Sequence, residues 1–421
     1  MRILIVVHDF LDTNVAGSEL YTYYLSSEIQ NRHEVGLFYY RPQHRIVAEP
    51  VITEERYENI PAYVVEIEAK GLVGRIPYEY SSITYDRLFL QVVERFKPDV
   101  VHFQHVLFYS MNFPHIVKGL GIPVIYTLHD YYLICPKFHM IRDDNTVCAG
   151  IDRMKCARCC SVTPWSRFFD IKSACKNLKI FWHILYKRPD CVKKLIDNVD
   201  LFISPSEFLR QMLIRHGIPK DKIITSANGM NFDIVTRKVV PKAGGKLVFG
   251  YIGSHTVVKG LPVLIEAFNG IPDAELRIYG SGGEQLFGPL VQNDAIRFMG
   301  RVGDAEKQSA FEGMDTLIVP SIVYENAPLT INEAFMFKVP VITSNIGGMA
   351  ENVADGMNGL HFKVGNAVDL RKKIRFLIDN PSELERLRSN IPEVKSIVTN
   401  ALEIEDMYAL LRQNSTTMTK G

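Results

Sequence analysis

No apolar run in this 421-residue chain approaches the length needed to cross a bilayer. The opening stretch MRILIVVHDF is apolar for only a few residues and lacks a small-residue cleavage site. It reads as a buried first strand, not a signal peptide, and the expected location is cytoplasmic, at most resting on the inner face of a membrane. Neither sign of charge is in excess: 48 Lys and Arg against 47 Asp and Glu leave a net charge of +1. That gives no electrostatic ground for a nucleic-acid partner. There are no internal repeats and no low-complexity segments. No Ser-His-Asp order or nucleophile elbow is present, which removes the usual hydrolase signatures. Paired cysteines are not expected either. The seven cysteines are an odd number, and five crowd between Cys135 and Cys160. In a reducing compartment such a cluster suggests thiols or a metal rather than disulfides.

Short β-branched runs alternate with amphipathic helical patterns. Residues 3–7, 34–40, 99–104, 123–129 and 200–206 read as buried strands; 17–30, 84–96 and 207–217 read as helices. The stretch 229–246, rich in Gly, Pro and Lys, reads as a linker. After it the alternation restarts, with strands at 247–253, 275–280, 295–300, 316–321 and 340–345 and a helix at 260–270. A last helical pattern, 382–412, contains Pro392. The expectation is α/β: two Rossmann-like, doubly wound domains facing across a cleft. Their expected bounds are 1–228 and 247–390, with 391–421 crossing back to the first domain and ending in a tail.

In such sheets ligands lie at the carboxyl ends of strands. One such end is SIVYENAPLTINEAF, residues 321–335. Asn326 is a favourable N-cap and Pro328 suits a first helical turn. Backbone N–H groups of residues 327–329 (Ala327, Pro328, Leu329) would then face a phosphate, helped by the helix dipole. Glu325 precedes the helix, and Glu333 lies roughly 8 Å further along its axis. Carboxylates are pure acceptors and suit hydroxyl pairs. A diphosphate with a sugar on either side fits this spacing; so does a capped surface helix with incidental acids. Nearby turns favour the diphosphate. GYIGSHTVVKG carries Gly253, Ser254 and Lys259; SNIGGMAENV carries Gly347 and Gly348; YGSGGE is a third Gly-rich strand end.

The motifs together resemble the retaining glycosyltransferases of family 4, with the GT-B fold. The second half carries Glu325-x7-Glu333, Lys259–Gly260 and the run from ENAPLTINEAF to GMNGLHF. The first half carries AGSELYTYYL, KPDVVHFQH, TLHDYYLICP, ISPSEFL and ANGMNFD. The resemblance covers nearly the whole chain. It is strongest toward a subgroup of bacterial surface-polysaccharide synthesis with HDxxxxCP and further cysteines. It implies that Glu333 binds the nucleotide ribose, Glu325 the donor sugar, and Lys259 the diphosphate. It places the base near Arg301 and Val302. It implies a nucleotide-sugar donor, UDP- or GDP-linked, no cofactor required for catalysis, and a glycan or lipid-linked acceptor. It also implies a contact between His129 and the donor sugar, and a loop at Gly17, Ser18 and Glu19 beside the diphosphate and acceptor. Asp130 would orient His129 or meet the acceptor. Ser254 stands where many relatives have Arg, so one positive charge is missing unless His255 replaces it. Asn332 also replaces an Arg of many relatives.

Cys135, Cys148, Cys156 and Cys159 admit a structural zinc or simply thiols in a long loop. Residues 164–188, aromatic and basic, admit a peripheral contact with anionic lipid or packing into the first domain. Asp143-Asp144-Asn145 reads as a polar turn, not a metal–diphosphate motif. A nucleotide-sugar epimerase of the same fold and a non-catalytic nucleotide-sugar-binding protein are the alternatives to a transferase.

Overall fold

The computed structural model describes residues 1–11, 16–43, 50–68, 80–107, 109–142, 144–148, 150–161, 178–235 and 245–418. The first sheet contains β1 (Arg2–Val6), β2 (Glu34–Gln43), β3 (Val51–Tyr57), β4 (Ile60–Glu68), β5 (Val100–Phe103), β6 (Val124–Thr127), β7 (Leu201–Ser204) and β8 (Ile223–Thr225). Their order is β3-β4-β2-β1-β5-β6-β7-β8, and the pair β3–β4 is antiparallel while the rest are parallel. The second sheet contains β9 (Val248–Ile252), β10 (Glu275–Tyr279), β11 (Ile296–Gly300), β12 (Thr316–Val319), β13 (Val341–Ser344) and β14 (Gly359–Phe362). It is wholly parallel, in the order β11-β10-β9-β12-β13-β14.

Val- and Ile-rich strands suit parallel sheets because helices bury both faces. Along β1, Leu4 and Val6 enter one apolar cluster while Ile3, Ile5 and Val7 enter another. Alternate residues thus feed cores on opposite sides of the sheet. Strand order reverses direction beside β1 in the first sheet and between β9 and β12 in the second. In open parallel sheets a crevice forms at such a point, and it is there that ligands generally bind.

The hairpin β3–β4 was not expected from the sequence. The outer strand β3 is an edge strand with little buried surface, and its turn is Glu58-Asn59, without the usual glycine. The run 382–412 forms two helices, Pro381–Ser389 and Ile397–Met418. Ile397, Ala401, Ile404 and Tyr408 of the second pack into the first sheet's core beside Ile3, Ile5 and Tyr21. The Tyr408 hydroxyl lies 2.6 Å from His102 Nδ1.

Candidate active site

Lys259 and Glu325 follow β9 and β12, the two strands that flank the second sheet's crevice. Lys259 Nζ donates to Glu325 Oε1 at 2.7 Å, and Ser321 Oγ donates to the same oxygen at 2.7 Å. Burial alone would raise the Glu325 pKa, but the Lys259 charge and the two hydrogen bonds outweigh it and hold it below the ordinary range. Two glycines make this convergence sterically feasible. Gly260 has φ +77°, and a Cβ there would meet the Pro320 carbonyl oxygen at 1.9 Å. Gly348 donates its N–H to the Glu325 carbonyl at 2.9 Å, and a Cβ on it would fall 1.5 Å from the Asn326 carbonyl oxygen.

The following helix is Leu329–Met336, with Pro328 as its N-cap. The sequence expectation is corrected in two respects. Asn326 does not cap this helix. Its Oδ1 accepts from Ser206 Oγ at 2.6 Å and its Nδ2 donates to the Leu128 carbonyl at 2.9 Å. The side chain therefore ties the second sheet's crevice to the carboxyl ends of β6 and β7. Pro328 also has no N–H to offer. The helix-start donors are Ala327, Leu329 and Thr330, none of which has a hydrogen-bond partner among the described residues. Ile331 N–H is returned to the Pro328 carbonyl at 3.1 Å.

Glu333 is buried, and its Oε1 accepts from Lys307 Nζ at 2.7 Å. Lys307 is buried as well and pairs with Asp304 Oδ1 at 2.8 Å. Burial works against its charge, but the two carboxylates prevail and raise its pKa. Asp304 Oδ2 in turn accepts from the hydroxyl of Tyr24, on the first domain's helix Gly17–Ile29, at 3.0 Å. Arg301 is exposed, and Val302 packs against the same cluster as Leu329. Gly253 N–H bonds the Tyr279 carbonyl at 3.1 Å, and the Ser254 carbonyl accepts from the Tyr251 hydroxyl at 2.7 Å. His255 is buried with its ring 5.5 Å from that of Phe298, and burial lowers its pKa, which disfavours the positive charge an arginine at Ser254 would carry.

On the first-sheet side, a Cβ on Gly17 would lie 3.7 Å from Leu329 Cδ1, so the starts of the two helices meet. Ser18 Oγ donates to Glu19 Oε2 at 3.0 Å. Glu19 is buried 3.4 Å from His8 Nε2, and burial raises its pKa. His8 and His105, just past β1 and β5, bring their rings within 4.7 Å. Asp130 does not orient His129. Its Oδ2 meets His105 Nε2 at 3.1 Å and its Oδ1 accepts from Tyr132 N–H at 2.7 Å. Gln104 takes the orienting role, its Oε1 lying 2.7 Å from His129 Nε2. The acceptor oxygen requires a proton on Nε2 and leaves Nδ1 as the ring's acceptor. Burial, with His105 nearby, lowers the His129 pKa to about 3, so the ring is neutral. Sequence reasoning missed Gln104, His8, His105, Tyr24, Asp304 and Lys307. Position just past a flanking strand was a usable signal for the first three; the others carry none.

Cys135, Cys148, Cys156 and Cys159 line one cavity of about 810 Å³, together with Cys160. All are free thiols, and burial pushes Cys156 up to about 11 and Cys160 up to about 12. Among the described residues no three His, Cys, Asp or Glu side chains stand close enough to hold a metal ion. Asp143 and residues 164–177 lie outside the described residues. Asp144 closes a turn by accepting from Thr146 N–H at 2.9 Å. Among the described residues, no helix is long and apolar enough to cross a membrane.

A family model described as Glycosyltransferase Family 4 matches residues 15–234, and one described as Glycosyl transferases group 1 matches residues 233–394. An uncharacterized glycosyltransferase of Methanocaldococcus jannaschii is 30% identical over 201 residues, 47% of this chain and 53% of that protein. The phosphatidyl-myo-inositol mannosyltransferase of Mycobacterium leprae is 29% identical over 38% of this chain and 45% of its own length. The capsular polysaccharide biosynthesis glycosyltransferase CapM of Staphylococcus aureus is 27% identical over 47% and 58%. The chain thus spans about half the length of the curated relatives it matches. Among solved structures, sucrose-phosphate synthase of Thermosynechococcus elongatus superposes with a TM-score of 0.67 at 16% identity, covering 97% of this chain and 98% of that one. Anabaena Alr3699/HepE, in complex with UDP and glucose, gives 0.64 at 16% identity over 97% and 99%. At that identity the likeness shows the fold: GT-B, two Rossmann-like domains.

Proposed function

We propose, on the premise that this chain belongs to the family 4 glycosyltransferases, that it transfers a sugar from a nucleoside diphosphate sugar to a hydroxyl of a glycan or lipid-linked acceptor, with retention of configuration. The observation that carries this reading is the meeting of Glu325, Lys259 and the free N–H groups of Leu329 and Thr330 at the second sheet's crevice, with the Gly17 helix start directly opposite. Lys259 and the helix start take the diphosphate. Glu325 Oε2, free of partners among the described residues, takes donor-sugar hydroxyls from one side, and neutral His129 from the other. Glu333 takes the ribose. Backbone at Ala327, Pro328, Gly253 and Ser254 lines the donor, and Arg301 and Val302 lie by the base. Gly17, Ser18 and Asp130 lie on the acceptor side.

In the reaction the anomeric carbon–phosphate oxygen bond breaks and a new bond forms on the same face to the acceptor oxygen. The acceptor's proton passes to the departing phosphate oxygen. Positive charge at Lys259 and the helix start stabilises the diphosphate as its charge develops, and the two domains hold donor and acceptor together on that face. A bacterial surface-polysaccharide pathway fits the likeness to CapM. Leu178, Trp182 and Tyr186, all exposed on one helical stretch with the two aromatic rings stacked at 5.1 Å, support a peripheral lipid contact that would bring a lipid-linked acceptor close.

The test is incubation with UDP- and GDP-sugars, with and without candidate acceptors, following nucleoside diphosphate release and product configuration. Acceptor-dependent release with retained configuration supports the reading. A changed sugar on an intact diphosphate indicates an epimerase, and binding without either outcome a non-catalytic protein.

A further inference from the structure

We propose that Lys307 is the positioning residue of the nucleotide clamp, and that Asp304 and Tyr24 link that clamp to the opposite domain. The inference rests on the reading that Glu333 takes the ribose. A glutamate carboxylate on three rotatable bonds does not by itself present its oxygens in one direction. Lys307 Nζ fixes Oε1 at 2.7 Å. Oε2 has no partner among the described residues and is left to accept from two adjacent ribose hydroxyls.

A buried ammonium is costly unless it is well paired. Here it meets two carboxylates, Glu333 at 2.7 Å and Asp304 at 2.8 Å. Asp304 and Lys307 lie three residues apart at the start of the helix Asp304–Glu312 and so share a face. That helix begins two residues after Val302, beside the segment assigned to the base. Asp304's second oxygen is held by the Tyr24 hydroxyl at 3.0 Å. Tyr24 belongs to the helix whose first residue, Gly17, faces Leu329. One hydrogen-bonded path therefore runs from the acceptor-side helix through Asp304 and Lys307 to Glu333. Its orientation is set when the domains are together, which couples nucleotide grip to closure.

The readout is selectivity for ribose over 2′-deoxyribose, which a general loss of stability would not alter. Calorimetric titration with UDP and GDP, each against its 2′-deoxy analogue, is to be run on the wild type, Lys307→Met, Lys307→Arg, Glu333→Gln and Tyr24→Phe. The wild type is expected to favour a ribonucleotide about tenfold. Lys307→Met is expected to lose most of that ratio while binding the deoxy analogue nearly as before, and Lys307→Arg to restore much of it. Tyr24→Phe, which removes one hydroxyl, is expected to weaken ribonucleotide binding severalfold, and it carries the test should Lys307→Met fail to fold. If Glu333→Gln collapses the ratio while neither Lys307→Met nor Tyr24→Phe changes binding, the relay is wrong and the ribose site stands. If Glu333→Gln leaves the ratio intact, or the wild type binds neither nucleotide, the ribose reading itself is overturned.

Discussion

Glu325 and Glu333 are both acidic and stand on either side of one helix start with seven residues between them, yet their surroundings differ enough to separate their effects. Glu325 shares one oxygen with half-exposed Lys259 and with Ser321, next to the donors of Leu329 and Thr330. Glu333 is locked to a buried lysine away from that edge. Glu325→Gln should lower kcat about a hundredfold, in line with losing one preorganised charge contact, with little change in nucleoside diphosphate affinity. Glu333→Ala should instead remove most of the nucleotide-dependent rise in melting temperature. Kinetics and thermal shift on the pair decide it, and the opposite pattern would exchange the two roles. Glu19 supports a stability prediction of definite sign. Burial raises its folded pKa above the unfolded value. The folded state then binds more protons between those two values, and stability falls as pH rises through that window. Glu19→Gln, which cannot ionise, should melt higher than wild type above the folded pKa and match it below the unfolded one. Equal melting temperatures across the whole range would mean that the carboxylate pays no burial penalty.

Helix starts and strand ends carry the site, and they also mark where the sequence was and was not readable. The strands at the centre of each sheet were legible because they are short β-branched runs buried on both faces, as 248–252 and 316–319 are. The edge strand β3 was not, because much of it faces water and its composition resembles a loop. The spacing of Glu325 and Glu333 was legible as a pattern, but its local chemistry fitted a capped surface helix as well as a diphosphate site, and the neighbouring turns and the family resemblance separated the two. The use of Asn326 was not: a cap is a contact within a few residues, whereas this side chain bonds Leu128 and Ser206, 198 and 120 positions away. Lys307 and Tyr24 were invisible for the same reason. The helical stretch 178–188 presents a different kind of face. Ile180 and Ile184 pack against Ala157, while Leu178, Trp182 and Tyr186 point outward. If that outer face meets lipid, replacing Trp182 and Tyr186 by Ser should abolish flotation with anionic vesicles and leave the melting temperature within a degree or two. Unchanged flotation would assign the aromatics to some other surface.

At the scale of the whole molecule, polar contacts from three side chains among the described residues tie the two sheets' carboxyl ends together. Asn326 reaches Leu128 and Ser206; Tyr24 reaches Asp304; and Glu351 accepts from the N–H groups of Glu207 and Phe208, both at 2.7 Å. The last is an N-terminal cap supplied from the other domain: the helix Glu207–Arg215 presents unpaired N–H groups and a positive dipole end, and the second domain provides the carboxylate. Each contact uses a group that water can also satisfy, so each adds about 1 kcal/mol rather than the gross strength of a hydrogen bond. If these contacts dominate, a donor that binds both sides can shift the balance between open and closed arrangements. The double variant Asn326→Ala, Glu351→Ala removes two of the three while leaving the apolar cores of both sheets untouched. Small-angle scattering should therefore show a larger radius of gyration for the ligand-free variant than for wild type, with most of the difference erased by saturating nucleotide sugar. An unchanged radius would mean that the crevice is held shut by packing instead, and that donor entry requires motion of the loops at Gly17 and Lys259 rather than of whole domains.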